Sequence, residues 1–193
     1  TENVSSTVRL LTEKLWGADE SSSNLGADLD LAYVEMKEMI YQPLTLIVGR
    51  QNLRYGSGLI VGDPDTNQLV SKSSFAAAGD LSLRKSFDAV RAIFDYSPIT
   101  VENIYAKVRE GDTDKRDDVN LWGTVINYQF NTHNALAEAY YFKADHSRSV
   151  SSSYIGKKSV TNVIGIRGQM DPIEKVTLSL EGAYQFVNYY NAF

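Results

Sequence analysis

Four cations, Arg91, Lys107, Arg109 and Arg167, alternate with apolar neighbours in segments that repeat with period two. A charge on the lipid side of a membrane strand costs about 2–4 kcal/mol near mid-bilayer, so in such a strand all four face inward, toward water. The chemistry they predict is electrostatic. A basic wall lowers the barrier for anions, while carboxylates on the same inner face, Glu35, Asp95, Glu138 and Glu181, prevent tight retention. The other reading of the same residues is the solvated face of a soluble strand. Arg50 is a separate case, because strict alternation puts it with Leu44, Leu46 and Val48. Either the phase changes at a bulge on Gly49, which returns Arg50 to the inner face beside Asp88 or Glu35, or Arg50 lies at the rim and snorkels. Gln51 and Arg54 continue the polar trend and favour the bulge.

Covalent and metal chemistry find less support. His146 stands between Asp145 and Ser147, but successive residues of a strand point to opposite faces, so the trio cannot converge. His133 falls in an expected turn and His146 at a strand end, on opposite sides of the membrane, which separates the two histidines. YGSGLIVGD misses the dinucleotide glycine spacing, and Asp63-Pro64 follows where a helix should begin. GDTDKRDD (Gly111 to Asp118) and DPDTN (Asp63 to Asn67) lack the central glycine and distal glutamate of a calcium loop and read as solvated outer loops. The expectation is therefore no catalytic residue, no metal, no cofactor and no enzyme.

The elements that position these charges are strands. The 193 residues, 43% hydrophobic and 22% charged, suffice for one folded domain over residues 1–193. No apolar stretch approaches the roughly 20 residues of a membrane helix, which leaves a closed barrel as the spanning option. Nineteen Lys plus Arg against 24 Asp plus Glu give a net charge of -5, which argues against nucleic acid as a partner. Cysteine is absent, which fits cytoplasm, periplasm and outer membrane alike.

VTLSLEGAYQF (Val176 to Phe186) is the clearest strand, with Val176, Leu178, Leu180, Tyr184 and Phe186 on one face and Thr177, Ser179, Glu181 and Gln185 on the other. Phe87–Tyr96, Val101–Glu110 and Asn162–Met170 alternate in the same way. In the second of these, Ile104, Ala106 and Val108 oppose Asn103, Tyr105, Lys107 and Arg109. With Ser6–Leu15, Leu29–Glu38, Pro43–Leu53, Val119–Phe130 and Ala135–Asp145, the count is about nine strands, each near the length of a tilted membrane strand. Tight turns at Tyr41-Gln42-Pro43, Ser97-Pro98, Asn131 to Asn134 and Asp171-Pro172-Ile173 alternate with long polar connections at 17–28, 54–86, 111–118 and 146–159. Short turns on one side and long loops on the other are the mark of an outer-membrane barrel. The loop 54–86 either folds inward to narrow a channel or stands as a disordered surface segment. Trp16, Trp122, Tyr96, Tyr128, Phe130 and Tyr184 recur near strand ends, as in interfacial girdles. About nine strands is an odd count, whereas single-chain bacterial barrels are even, so the expectation is an incomplete barrel whose final Phe193 carries no terminal signal.

LAYVEMK (Leu31 to Lys37), PLTLIVGRQNLRYGSG (Pro43 to Gly58), RKSFDAVRAIFDY (Arg84 to Tyr96) and EGAYQF (Glu181 to Phe186) together resemble the alginate-export family of outer-membrane porins. The resemblance implies an antiparallel up-and-down transmembrane barrel of roughly 18 strands, about twice those visible. It also implies passive passage of an anionic polysaccharide through a basic lumen, with Arg50, Arg91, Lys107, Arg109 and Arg167 in the place of lumenal cations. Glu35, Asp95, Glu138 and Glu181 depart from that pattern and make the visible lumen mixed. The expected function is a bacterial outer-membrane channel for small hydrophilic or anionic solutes, saccharides among them, with the lipid bilayer and the solute as partners. The rival readings are a barrel sleeve or surface scaffold with a protein partner, and a soluble saccharide-binding β-sandwich.

Overall fold

The computed structural model describes residues 3–12, 27–39, 41–62, 86–109, 119–146 and 158–190. The strands are β1 (Val4–Thr12), β2 (Ala27–Lys37), β3 (Leu44–Asn52), β4 (Ser86–Tyr96), β5 (Ile99–Arg109), β6 (Val119–Gln129), β7 (Leu136–His146), β8 (Lys158–Ile173) and β9 (Val176–Tyr190). Each pairs antiparallel with its neighbours in sequence, so the spatial order is β1 through β9 in a single sheet. The all-β, up-and-down architecture expected from the alternating segments is the one observed, and it is consistent with part of a β-barrel. Trp16, Phe193, the two acidic loop motifs and residues 63–85 of the loop 54–86 lie outside the described residues.

Local chemistry explains the tight connections. Ser97-Pro98, whose peptide bond is cis, links β4 to β5, and His133 and Asn134 take positive φ angles of 54° and 47° between β6 and β7. Asn is among the residues that tolerate that region best. That turn is closed by the Ala135 N–H donating to the Thr132 carbonyl at 3.1 Å. The last connection differs from the sequence expectation. β8 runs through Asp171 and Pro172 to Ile173, and the turn is Glu174-Lys175, with Lys175 at φ 66°. Pro172 has no N–H for a ladder, and it falls at the register shift between Met170 and Ile173, where the ladder is already interrupted. The Asp171 carboxylate accepts from Asn134 Nδ2 at 3.0 Å and Thr177 Oγ1 at 2.7 Å, which ties two adjacent turns together.

The segment after β3 decides what each face of the sheet does. Residues 53–62 fold back over one face, where Leu53, Tyr55 and Val61 pack into a buried cluster with Phe87, Ile104, Val125 and Phe142. This covered face therefore has a small apolar core. The open face carries large apolar groups in the clear, Leu180 at 82% exposure and Val8 at 69% being the extremes, with Val90, Ile126, Ile164 and Ile166 alongside. Exposed apolar surface of this continuity marks contact with lipid or with another chain.

Two expectations about facing are corrected here. The ladder passes through Gly49 and Arg50 without a register shift, pairing Gly49 with Tyr33 and Ala89, and Arg50 with Ala32 and Asp88. No bulge changes the phase, so Arg50 stays on the open face with Leu46 and Val48. Gly49 has another reason to be glycine: its φ is +127°, and a Cβ there would stand 2.2 Å from the Ala32 carbonyl oxygen. In β5 the faces are the reverse of those expected. Ile104 and Ala106 lie on the covered face beneath segment 53–62, whereas Lys107 shares the open face with Asn103 and Tyr105. The apolar half of this strand meets the underside of the chain's own loop.

Candidate functional site

Directly opposed residues of an antiparallel ladder share a face, so the registers trace rows across the sheet. One row of the covered face reads Asp95, Thr100, Asn127, Glu138, Arg167, Glu181 from β4 to β9. Four of the expected wall residues thus fall in a single polar line, although they come from four strands. The neighbouring rows hold Glu102, Arg91 and Glu35. Glu35 lies opposite Ile47, 3.4 Å from Lys37 Nζ and hydrogen-bonded by Ser5 Oγ at 3.2 Å.

Segment 53–62 is seated on this face at two carboxylates. At the first, the Tyr55 hydroxyl donates to Glu102 Oε1, the same oxygen that receives Arg91 Nε at 2.5 Å. The Arg91 guanidinium lies 6.0 Å from the Tyr55 ring centre, within cation–π range. At the second, the Ser57 backbone N–H donates to Glu181 Oε2 at 2.8 Å while the Tyr140 hydroxyl donates to Oε1 at 2.7 Å. Gly56 makes the approach possible, since a Cβ there would meet Glu181 Oε1 at 2.5 Å and its φ is +61°. Within the segment, Arg54 Nη2 donates to the Ser57 carbonyl at 3.0 Å and Tyr55 N–H to the Val61 carbonyl at 2.9 Å, closing a compact hook.

Glycines in the sheet make room for the aromatic groups that support the hook. A Cβ on Gly165 would stand 2.3 Å from the Tyr140 ring, and one on Gly123 would stand 2.6 Å from Phe142. Both rings lie across the neighbouring strand, and Tyr140 thereby reaches Glu181. Asn127 Oδ1, Glu138 Oε1 and Arg167 Nε are buried atoms without a hydrogen-bond partner among the described residues. The row is a line of polar and charged groups across the covered face, partly enclosed by the hook.

The expected wall residues therefore separate. Glu35, Arg91, Asp95, Glu138, Arg167 and Glu181 lie on the covered face. Arg50 and Lys107 lie on the open face, at the end of the strands that carries the long connections. There Arg50 Nε and Nη2 pair with Asp88 at 3.1 and 3.0 Å, and its Nη1 donates to the Leu29 carbonyl at 3.2 Å. Lys107 is opposite Asp88. Arg109 is opposite Val119 across a register shift, and its side chain is outside the described residues.

Glu102, Tyr55 and Tyr140 were missed by sequence reasoning. Glu102 had a usable signal, because it has the same parity as Ile104, Ala106 and Val108 and a carboxylate is costly against lipid. That parity marks the apolar half of β5 as interior. Tyr55 and Tyr140 had none, since each is recruited through a fold-back or a cross-strand reach that the linear order does not contain.

No curated protein and no solved structure matches the chain. One family model, described as alginate export, matches residues 11–191, nearly the whole chain and all nine strands in whole or part. On that match the chain belongs to the alginate export family.

Proposed function

We propose that the chain forms part of the wall of an outer-membrane channel, in which the covered face is the lumen and the open face meets lipid. Family membership implies an outer-membrane or envelope location and a role in export rather than in a covalent reaction. Small hydrophilic solutes, saccharides among them, cross by diffusion along the polar row and past the hook 53–62. The observation that carries this reading is the hook itself. A channel is narrowed most simply by a loop pinned to the inside of its own wall, and this loop is pinned at Glu102 and Glu181.

The open face supports the lipid assignment. Tyr96 and Tyr128 lie toward the short turns, and Tyr105 and Trp122, with ring centroids 4.4 Å apart, lie toward the long loops. From Tyr128 to Trp122 the strand rises ~20 Å at ~3.4 Å per residue. That separation is of the order of the ~25 Å apolar band between aromatic girdles. The rest of the wall would be supplied by further strands pairing with the outer edges of β1 and β9, which have no neighbouring strand among the described residues, since an open edge cannot persist in lipid.

The test is electrical. Purified protein in planar bilayers is expected to give discrete conductance steps, and Tyr55→Ala, which removes both the ring and the hydroxyl that seat the hook, is expected to enlarge them. A folded, heat-modifiable protein that never conducts would overturn the channel reading.

A further inference from the structure

We propose that the open face holds a phosphorylated, acylated disaccharide lipid of the outer leaflet, seated on β3 to β6 with its phosphates at Arg50 and Lys107 and an acyl carbonyl at Asn103. This rests on the lipid assignment of the open face. Among the described residues of β3 to β7, the register gathers the charges of that face at one end of the strands. Arg50, Asp88 and Lys107 are successive partners on β3, β4 and β5, and on β7 Lys143 Nζ pairs with Asp145 at 3.0 Å. At the other end, the open face of β4 to β6 closes on Tyr96, Ile99 and Tyr128, without a charge. The charged end carries the long connections, which point outward in an outer-membrane barrel, so the leaflet it meets is the outer one.

Positive charge is in excess there. Asp88 lies between Arg50 and Lys107 and can cancel only one of them. Its two bonds to Arg50 leave that guanidinium partly exposed, and Lys107 is exposed. Arg9 and Asp30, the next charges toward β1, form a pair of their own. Two strand spacings set Arg50 and Lys107 about 10 Å apart. A disaccharide with a phosphate at each end spans such a gap, whereas the single phosphate of a glycerophospholipid meets one cation.

The chemistry then changes in a fixed order along the strands. From the charged end, successive open-face positions of β5 are Lys107, Tyr105, Asn103 and Val101, about 7 Å apart. Those of β6 are Asn120, Trp122, Thr124 and Ile126. The Tyr105 hydroxyl donates to Asn120 Oδ1 at 3.2 Å, and its ring centroid lies 4.4 Å from that of Trp122. One position further in, Thr124 Oγ1 donates to Asn103 Oδ1 at 2.9 Å. The exposed Asn103 amide nitrogen is left without an acceptor among the described residues, at a depth where an unmet amide is costly. Beyond it Val101, Phe94 and Ile126 are apolar. Cation, ring, amide donor and hydrocarbon surface follow the order of groups in such a lipid, which are phosphate, sugar, acyl carbonyl and chain.

The test is native mass spectrometry of the full chain from detergent micelles titrated with diphosphoryl lipid A, monophosphoryl lipid A or phosphatidylglycerol. One diphosphoryl lipid A per chain is expected to be retained, several-fold more tightly than either of the others. Lys107→Gln is expected to weaken it about fivefold, the worth of one cation at a membrane surface. Asn103→Leu, which removes the amide donor, is expected to weaken it about threefold. Should Lys107→Gln fail to fold, as read by loss of heat-modifiable mobility, Asn103→Leu decides alone. Equal retention of the three lipids, or undiminished retention in folded variants, overturns the site. A natural chain that stays dispersed without detergent and retains no lipid is a different result, and it overturns the lipid assignment of the open face itself.

Discussion

Arg91 and Arg50 lie on neighbouring strands, carry the same charge and each meet one carboxylate, yet they occupy opposite faces and different dielectric surroundings. The Arg91 and Glu102 side chains retain 22% and 9% of their exposure, whereas those of Arg50 and Asp88 retain 40% and 53%. The buried pair is also shared with Tyr55, so it couples a strand, its neighbour and the hook. The open pair couples β3 and β4, which are already hydrogen-bonded along their whole length. A salt bridge is therefore consequential here where the hook encloses it and a third group depends on it, and nearly incidental at the strand ends, where two strands are held by their ladder in any case.

The largest effect should come from cutting the covered pair. Glu102→Ala leaves Arg91 charged, largely enclosed and unpaired, and is expected to cost about 3–5 kcal/mol in urea unfolding from detergent micelles. A loss no greater than that of an open-face charge would break the contrast between the faces. Gly165→Val comes next. Its side chain would occupy the place of the Tyr140 ring. Overpacking of this kind costs about 1–3 kcal/mol. It should also free Glu181 from its hydroxyl donor, and faster amide exchange at Ser57 would report the loosened hook.

Tyr55→Phe removes one hydrogen bond while keeping the ring against Phe142, with ring centroids 5.5 Å apart. A loss of about 1 kcal/mol is expected, because Glu102 keeps Arg91 as a partner and is not orphaned. The same unfolding assay, run beside Glu102→Ala, separates the hydroxyl from the ion pair. The smallest effect is assigned to Asp88→Asn on the open face, at most about 1 kcal/mol and shrinking as salt is raised. A salt-independent loss of several times that size would place the pair below the aqueous rim, within the apolar band of the open face.

Much of the fold was legible because strand formation is announced locally. Alternation in VTLSLEGAYQF, the proline at position 98 and the Asn-rich turn at 131–134 each mark an element or its end without reference to any other part of the chain. The β8–β9 turn was misplaced for the same reason. Asp171-Pro172 has turn composition, and only pairing with β9 reveals that the strand passes through it at a register shift. The polar row of the covered face was legible in part. Asp95, Glu138, Arg167 and Glu181 were recognised individually, but their assembly into one row depends on registers, which no single strand contains.

By itself the sequence determined the nine strands, their up-and-down order, the alternation of short and long connections and the family, because each of these is encoded in spacing between near neighbours. Only the tertiary structure decided which half of each strand lies on the face that the hook covers. A period of two divides a strand into two faces without labelling either as interior. In β5 the apolar half is the covered one because the chain's own hook packs on it, and in β3 the arginine is on the open face because the ladder runs unbroken through Gly49. The label is supplied by what packs on the face, here Leu53, Tyr55 and Val61, and that contact joins segments the sequence keeps apart.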